Sequence, residues 1–177
     1  MSKKILLTLL AMVTLKIAFS QNYIYKGGKQ FIATQIWNYK LTNYKWNSEG
    51  LEMSIGKNNA GGYLMLSIEV PFDEIISGTI FIILENGKTV NLISKVVSDH
   101  VDSKTQVLYT ITPSQIEQFK TSNILKVRFS LKNLKGVYGG VTGNFTAINK
   151  ISEYVYDDQP NIWQTAEDII NLFDNKE

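Results

Sequence analysis

The chain has 177 residues with one histidine and no cysteine, and its 18 basic residues against 16 acidic ones give a formal net charge of +2 at pH 7. Without cysteine the chain cannot form a disulfide framework or a thiolate metal site, and a tetrahedral zinc site with one histidine is not expected. Its single arginine, Arg128, argues against nucleic-acid binding, because phosphate contacts depend on clusters of lysine and arginine.

Residues 1–20 have the pattern of a cleaved export signal. Two lysines precede an apolar run at residues 5–15, and Ala18 and Ser20 place small side chains before the expected cleavage site at Gln21. A spanning helix needs about 20 apolar residues. No segment after the leader approaches this length, so we predict no membrane span in the mature form. A lipoprotein anchor would require a cysteine. The abundance of isoleucine, asparagine and lysine is typical of an AT-rich bacterial genome, and we expect the protein in the periplasm, at the cell surface or outside the cell.

Aromatic residues crowd the start of the mature domain, residues 21–177. Trp37 and Tyr39 share one face of a predicted strand, and Trp46 follows after intervening asparagine and lysine residues. Such rings offer a large apolar body with a polar tip, which suits carbohydrate stacking or a protein contact. They are also typical of a β-sheet core. Trp37, Tyr39 and Trp46 are therefore candidate ligand-binding residues, with core packing as the alternative.

Period-two alternation continues along most of the chain and predicts a mainly β fold. The dipeptide Asn86-Gly87 between two apolar runs predicts a hairpin with a two-residue turn, because both central residues of that turn need positive φ. This register sets Phe81 opposite Leu92 on one apolar face.

The only histidine lies in an acidic connection. His100 follows Asp99 and precedes Asp102, and these residue types favour a turn with the histidine at its tip. A calcium site would need six to eight oxygen ligands, and no serine lies in the nucleophile elbow that a catalytic triad would use. We therefore predict no catalytic residue, no metal site and no cofactor.

A capping-box pattern marks the next element. Thr112 can cap a helix in which Pro113 is the first residue and Gln115 the third, so a short helix is predicted near residues 113–121.

The strand after this helix alternates strongly and has a basic outer row. The inward residues are Leu125, Val127, Phe129 and Leu131. The outward row contains Lys126, Arg128 and Lys132, which we take as candidate ligand-binding residues. The alternative is a solvated sheet face whose like charges protect the edge from aggregation.

The C-terminal segment is predicted to form an amphipathic helix near residues 160–173. Its apolar residues can pack on the chain's own sheet, or they can dock on another protein, because both uses require the same spacing. The candidate docking residues are Ile162, Trp163, Ile169, Ile170 and Phe173.

Together these patterns predict one β-rich domain, an antiparallel β-sandwich or a strongly curved sheet with two helices. The function we expect is that of an exported, non-enzymatic binding module whose partner is a protein or a surface glycan. One alternative is a carbohydrate-binding module that uses exposed aromatic rings. A second is a small secreted hydrolase that depends on a pair of carboxylates.

Overall fold

The structure, a computed structural model, describes residues 22–42, 50–93, 98–101, 103–136, 140–151 and 161–174. The predicted leader, residues 1–20, lies outside these ranges. The described part contains eleven strands and two helices: β1 (Asn22–Lys26), β2 (Lys29–Ala33), β3 (Trp37–Leu41), β4 (Leu51–Asn58), β5 (Gly61–Glu69), β6 (Glu74–Leu84), β7 (Thr89–Ile93), β8 (Asp99–Val101), β9 (Lys104–Ile111), α1 (Pro113–Lys120), β10 (Ile124–Asn133), β11 (Gly143–Ile148) and α2 (Thr165–Asp174). No helix among the described residues is long and apolar enough to cross a membrane.

The strands form one strongly curved antiparallel sheet, a half-barrel. The strand order is β7-β6-β10-β11-β3-β4-β5-β9-β8, and the β1–β2 hairpin joins the sheet through the pairing of β2 with β4. The curvature brings β6 and β7 into contact with β9 across the core. The predicted mainly β fold, with a strongly curved sheet and two helices, is confirmed.

The core lies inside the curve, where alternate side chains of the strands converge. Trp37, Tyr39, Tyr109, Phe119 and Phe129 are among its largest fully buried side chains. Burial of apolar surface stabilises a domain by about 25 cal/mol per Å², so these buried rings contribute to the stability of the fold.

The hairpin of β6 and β7 differs from the predicted register by one residue. Ile80, not Phe81, lies opposite Leu92. Only Gly87 of the turn has a positive φ. The backbone N–H of Asn86 donates to the Ser122 hydroxyl, and the Asn86 side chain accepts from the backbone N–H of Lys88. A one-residue shift exchanges the two faces of a strand, and it leaves the ring of Phe81 42% exposed on the outer surface.

The basic strand, β10, also departs slightly from its predicted pattern. Val127, Phe129 and Leu131 point inward as expected, but Ile124 is fully buried and Leu125 only partly. A register irregularity between Ile124 and Lys126 in the pairing with β6 accounts for the change.

Helix α1 has the predicted capping box. The Thr112 hydroxyl accepts from the backbone N–H of Gln115 at 3.3 Å, and the Gln115 side chain accepts from the backbone N–H of Thr112 at 2.9 Å. Pro113 occupies the first turn, and Ile116 and Phe119 are the buried residues.

Helix α2 begins at Thr165, five residues later than the predicted start at 160. The side chain of Asn149 holds the preceding segment in a non-helical form, since it accepts from the Trp163 N–H at 2.8 Å and donates to the Trp163 carbonyl at 2.9 Å. The Asn123 side chain then accepts from the backbone N–H of Ala166 at 3.1 Å, which satisfies one free donor of the first turn.

Candidate binding site

A groove of about 1310 Å³ opens between the β1–β2 hairpin, the turn that joins β4 to β5, and the end of α2. Its lining combines positive charge, aromatic rings and side-chain amides. The residues of these three kinds are Lys26, Lys29, Lys57, Phe31, Tyr63, Phe173, Gln30, Asn58 and Asn59. We refer to this feature as the lysine groove.

The first wall of the lysine groove is a hairpin whose two last paired residues carry the same charge. Lys26 lies directly opposite Lys29, on either side of Gly27 and Gly28. Both glycines have positive φ, +57° and +73°, as the tight hairpin turn requires. Like charges directly opposite destabilise a strand pair, and neither lysine forms a salt bridge within the described residues. The hairpin therefore concentrates two uncompensated positive charges at the groove.

The floor of the groove is aromatic. The rings of Phe31 and Tyr63 meet edge to face with centroids 5.1 Å apart, and the Lys26 ammonium lies 4.2 Å from the Tyr63 centroid. Such a cation–ring contact contributes about 0.5–1 kcal/mol at an exposed site. It orients Lys26 without neutralising its charge.

The second wall is the end of α2, which β4 holds in place. The Lys57 ammonium donates to the carbonyl oxygens of Leu172 and Phe173, each at 3.2 Å. These carbonyls belong to the last turn of the helix, where a positive charge is favourable. Gly62 allows the close approach, because a Cβ there would lie 3.2 Å from Cζ of Phe173 and 2.8 Å from the Gly56 carbonyl oxygen.

The predicted aromatic site is divided by burial. Trp37 and Tyr39 are both 0% exposed, so core packing is the alternative that holds for them, and neither ring is available as a surface platform. Trp46 lies outside the described residues. The Trp37 indole N–H donates to the Asp168 carboxylate at 2.7 Å, and the Tyr39 hydroxyl donates to the Ile124 carbonyl at 2.7 Å. Burial raises the pKa of Tyr39 well above its ordinary value.

The predicted basic row does lie on the surface. Lys126, Arg128 and Lys132 are exposed on the outer face of β10, and none forms a salt bridge within the described part of the chain. Arg128 additionally lines a depression of about 410 Å³.

The predicted docking residues of the C-terminal segment mostly face the chain's own sheet. Ile169 is fully buried, and Trp163 and Phe173 pack partly buried against the core. The Trp163 indole N–H donates to the Asn38 carbonyl at 3.0 Å. Ile162 is half-buried, and Ile170, at 40% exposure, is the candidate that remains most accessible. The structure thus favours self-packing over docking.

The single histidine lies on a short edge strand rather than at a turn tip. His100 pairs with Thr105 of β9, and its Nε2 is 3.3 Å from the Phe72 carbonyl oxygen. The predicted reversal of the chain is present, since β8 and β9 form an antiparallel hairpin, but residues 99–101 belong to its first strand and the reversal follows Val101. Asp102 lies outside the described residues. Within the described ranges, no group of three His, Asp or Glu side chains could hold a metal ion.

Glu74 is a buried acid with a structural role. Its side chain is fully buried and accepts from the backbone N–H of Phe72 at 2.9 Å and of Val141 at 2.7 Å. A buried carboxylate needs such donors, and here they tie the start of β6 to the segment before β11.

The sequence patterns did not predict the lysine groove. Residues 26–31, 57–63 and 172–174 are far apart in the chain and meet only through the β2–β4 pairing and the docking of α2. The available signal was the Lys-Gly-Gly-Lys turn of residues 26–29, which places two lysines side by side.

Comparisons with known proteins found no matching family model, no similar curated protein and no similar solved structure.

Proposed function

We propose that this protein is an exported, non-enzymatic binding module and that the lysine groove binds an acidic segment of a protein partner. The observation that carries the proposal is the pairing of Lys26 with Lys29 beside the aromatic floor, without an acidic partner in the described chain. A ligand carboxylate between the two ammonium groups would remove their mutual repulsion and add favourable charge pairs.

The apolar part of the groove favours a polypeptide over a glycan. Ile32, Ala60 and Leu172 line it together with Phe31 and Tyr63. Apolar side chains of a bound segment can cover these groups, which a chain of sugars cannot do as well. Protein interfaces typically combine such an apolar centre with a charged rim.

The strength of such binding follows from the exposure of the lysines. An exposed ion pair contributes about 0.2–1 kcal/mol, so Lys26 and Lys29 together contribute about 0.4–2 kcal/mol. The aromatic and aliphatic contacts must supply most of the remaining binding free energy. Charge then determines which segments bind, and apolar burial determines how tightly they bind.

The groove's lining favours binding over hydrolysis. Asp174 is the one carboxylate among the described residues that line it, and Lys120 donates to its Oδ1 at 2.6 Å. The carboxylate-dependent hydrolase would require two acids at a separation of about 5–9 Å. The carbohydrate-binding alternative was formulated on Trp37, Tyr39 and Trp46. Trp37 and Tyr39 are buried and cannot act as a surface platform, and Trp46 lies outside the described residues.

Export rests on the leader sequence of residues 1–20. If the protein is exported by this leader, the protein recovered from outside the cytoplasm should begin at Gln21, and its intact mass would show this. Full-length protein found only in the cytoplasm would contradict export without affecting the binding proposal.

The binding test uses a fluorescent ten-residue peptide of alternating glutamate and leucine, with a glutamine-for-glutamate peptide as its neutral control. We expect Lys26→Ala/Lys29→Ala to weaken binding about tenfold, because about 1.4 kcal/mol is lost. The matched control is Lys126→Ala/Lys132→Ala, which removes the same charge from exposed residues elsewhere and should change affinity less than about twofold.

Three results would contradict the proposal. They are equal losses in the two double variants, equal binding of the acidic and neutral peptides, and binding of an acidic polysaccharide such as polygalacturonate that is tighter than that of the peptide and is lost in Lys26→Ala/Lys29→Ala. The last would assign the groove to a glycan.

A further inference from the structure

A second surface feature lies on the outer face of the three strands β6, β10 and β11. It is the depression of about 410 Å³ that Arg128 lines together with Thr79, Phe81, Ser130, Asn144 and Thr146. These residues lie on the outside of the curved sheet and belong to other strands than those that line the lysine groove. The two features share no lining residue.

A backbone irregularity lies beside this depression. Between Arg128 and Ser130 of β10, the facing strand β6 runs from Phe81 to Ser77, so four steps on one strand oppose two on the other. Gly78 in this bulge has φ +77°, and a Cβ there would meet nothing within 4 Å. Bulges of this kind redirect side chains and are common beside functional sites.

The centre of the depression combines an arginine with an aromatic ring. Arg128 is the register partner of Phe81 on one side and of Thr146 on the other, so the three side chains are neighbours on one face. The guanidinium is exposed and forms no salt bridge within the described residues. The residue Phe81 is 42% exposed and lies opposite Asn91 of β7.

The rim of the depression is polar. Thr79, Ser130 and Thr146 contribute hydroxyl groups, and the Ser130 hydroxyl donates to Oδ1 of Asn144 at 2.7 Å. Small-ligand sites commonly have a volume of about 300–1,000 Å³ and a few polar groups that fix orientation. The depression, at about 410 Å³, falls within that range.

We propose that this depression binds a carboxylated sugar residue such as a uronic acid. The planar guanidinium of Arg128 can hold a carboxylate through two parallel hydrogen bonds. The apolar C–H face of the sugar ring packs on Phe81, as sugars do on flat aromatic surfaces. The hydroxyl and amide rim meets the sugar hydroxyls, which explains why a sugar fits better than an apolar acid. This assignment is independent of the function proposed for the lysine groove.

The test is an NMR titration of the full mature chain, ¹⁵N-labelled, with glucuronate, and with glucose as the neutral control. We expect saturable millimolar binding of glucuronate, with shifts in β6, β10 and β11, and about tenfold weaker binding of glucose because the arginine–carboxylate bonds are absent. An N-acetylated aromatic amino acid, which has a carboxylate but no sugar, should bind more weakly than glucuronate.

Matched variants identify the groups that act. Arg128→Lys keeps the charge but loses the two-bond geometry, and Phe81→Leu keeps apolar bulk but loses the flat ring. Each should weaken binding at least about fivefold. Lys132→Ala removes a nearby exposed charge, and Lys26→Ala/Lys29→Ala alters the lysine groove; both should leave affinity within about twofold. Melting curves identify any variant that fails to fold.

Several results would overturn this assignment: glucose binding as tightly as glucuronate, Arg128→Lys binding like the parent, a preference for the N-acetylated amino acid, or shifts located away from β6, β10 and β11. An absence of saturable shifts up to about 50 mM glucuronate would also overturn it, because this range extends beyond the millimolar affinity expected for a single sugar.

Discussion

The Asp168 carboxylate fixes helix α2 to the core, and its removal should destabilise the domain measurably. Its Oδ2 accepts from the buried indole N–H of Trp37 at 2.7 Å and from the side chain of Gln35 at 2.9 Å. Asp168→Ala deletes both bonds and leaves the indole donor without a partner. Glu167 is the matched control, because it lies in the same first turn of the helix but is exposed.

The size of the effect follows from these two bonds. A hydrogen bond to a charged group contributes about 1.5–3 kcal/mol, and the exposed Gln35 bond contributes at the low end of about 0.5–1.5 kcal/mol. The loss expected from these two bonds is therefore about 2–3.5 kcal/mol. In a domain of this size each kcal/mol lowers the melting temperature by about 2–4 °C, which gives a fall of roughly 4–14 °C.

The assay is urea unfolding of the parent protein, Asp168→Ala, Asp168→Asn and Glu167→Ala. Both alanine changes remove an acid from the first turn, where each contributes about 0.3–1 kcal/mol through the helix dipole, so the difference between them isolates the Trp37 and Gln35 bonds. Asp168→Asn retains an acceptor without the charge and should fall between the parent and Asp168→Ala. The reasoning fails if Asp168→Ala and Glu167→Ala destabilise the domain equally.

Three further predictions concern the core and helix α1. Tyr39→Phe should lower the free energy of unfolding by about 1 kcal/mol because it removes the hydrogen bond to Ile124. Tyr109→Phe should be neutral or stabilising because the Tyr109 hydroxyl has no partner within the described residues. Urea midpoints that reverse this order would contradict the assignment. Burial raises the pKa of both phenols above that of tyrosine in the unfolded chain. The stability linked to their protonation is therefore fully present below about pH 10 and is lost as the pH rises further. A Tyr39→Phe/Tyr109→Phe protein should lose less stability between pH 9 and 11 than the parent, and equal losses would refute this. Thr112→Ala should cost about 1 kcal/mol by removing the cap of α1, and thermal melting that is unchanged would show that the cap does not stabilise the domain.

Sequence patterns predicted the local features of this fold well. The capping box of Thr112 and Gln115 depends on residues three apart, and the inward positions of Val127 and Phe129 depend on alternation alone. Both signals lie within one element, so nothing elsewhere in the chain is needed to interpret them.

Features that depend on distant contacts were beyond those patterns. The β6–β7 register was missed by one residue because the connection between α1 and β10 bonds the turn, through Asn123 to the Glu85 N–H and through Ser122 to the Asn86 N–H. The start of α2 was predicted too early because the Asn149 side chain bonds both the backbone N–H and the carbonyl of Trp163, which lies before the helix.

The candidate site shows the same division. Alternation correctly placed Arg128 on the outer surface, but it could not show that Phe81 lies beside it, because that depends on the register of two other strands. The aromatic pattern of Trp37 and Tyr39 was compatible with both a core and a surface, and only the complete sheet shows that they are buried.

The most direct test of the central claim, that the lysine groove binds an acidic segment, is to map the bound peptide on the protein. Amide shifts of the ¹⁵N-labelled mature chain during titration with the glutamate–leucine peptide would locate the contact residue by residue. We predict saturable shifts in residues 26–31, 57–63 and 172–174, which form the groove. Shifts that concentrate on the outer face of β10, or that never saturate, would contradict it.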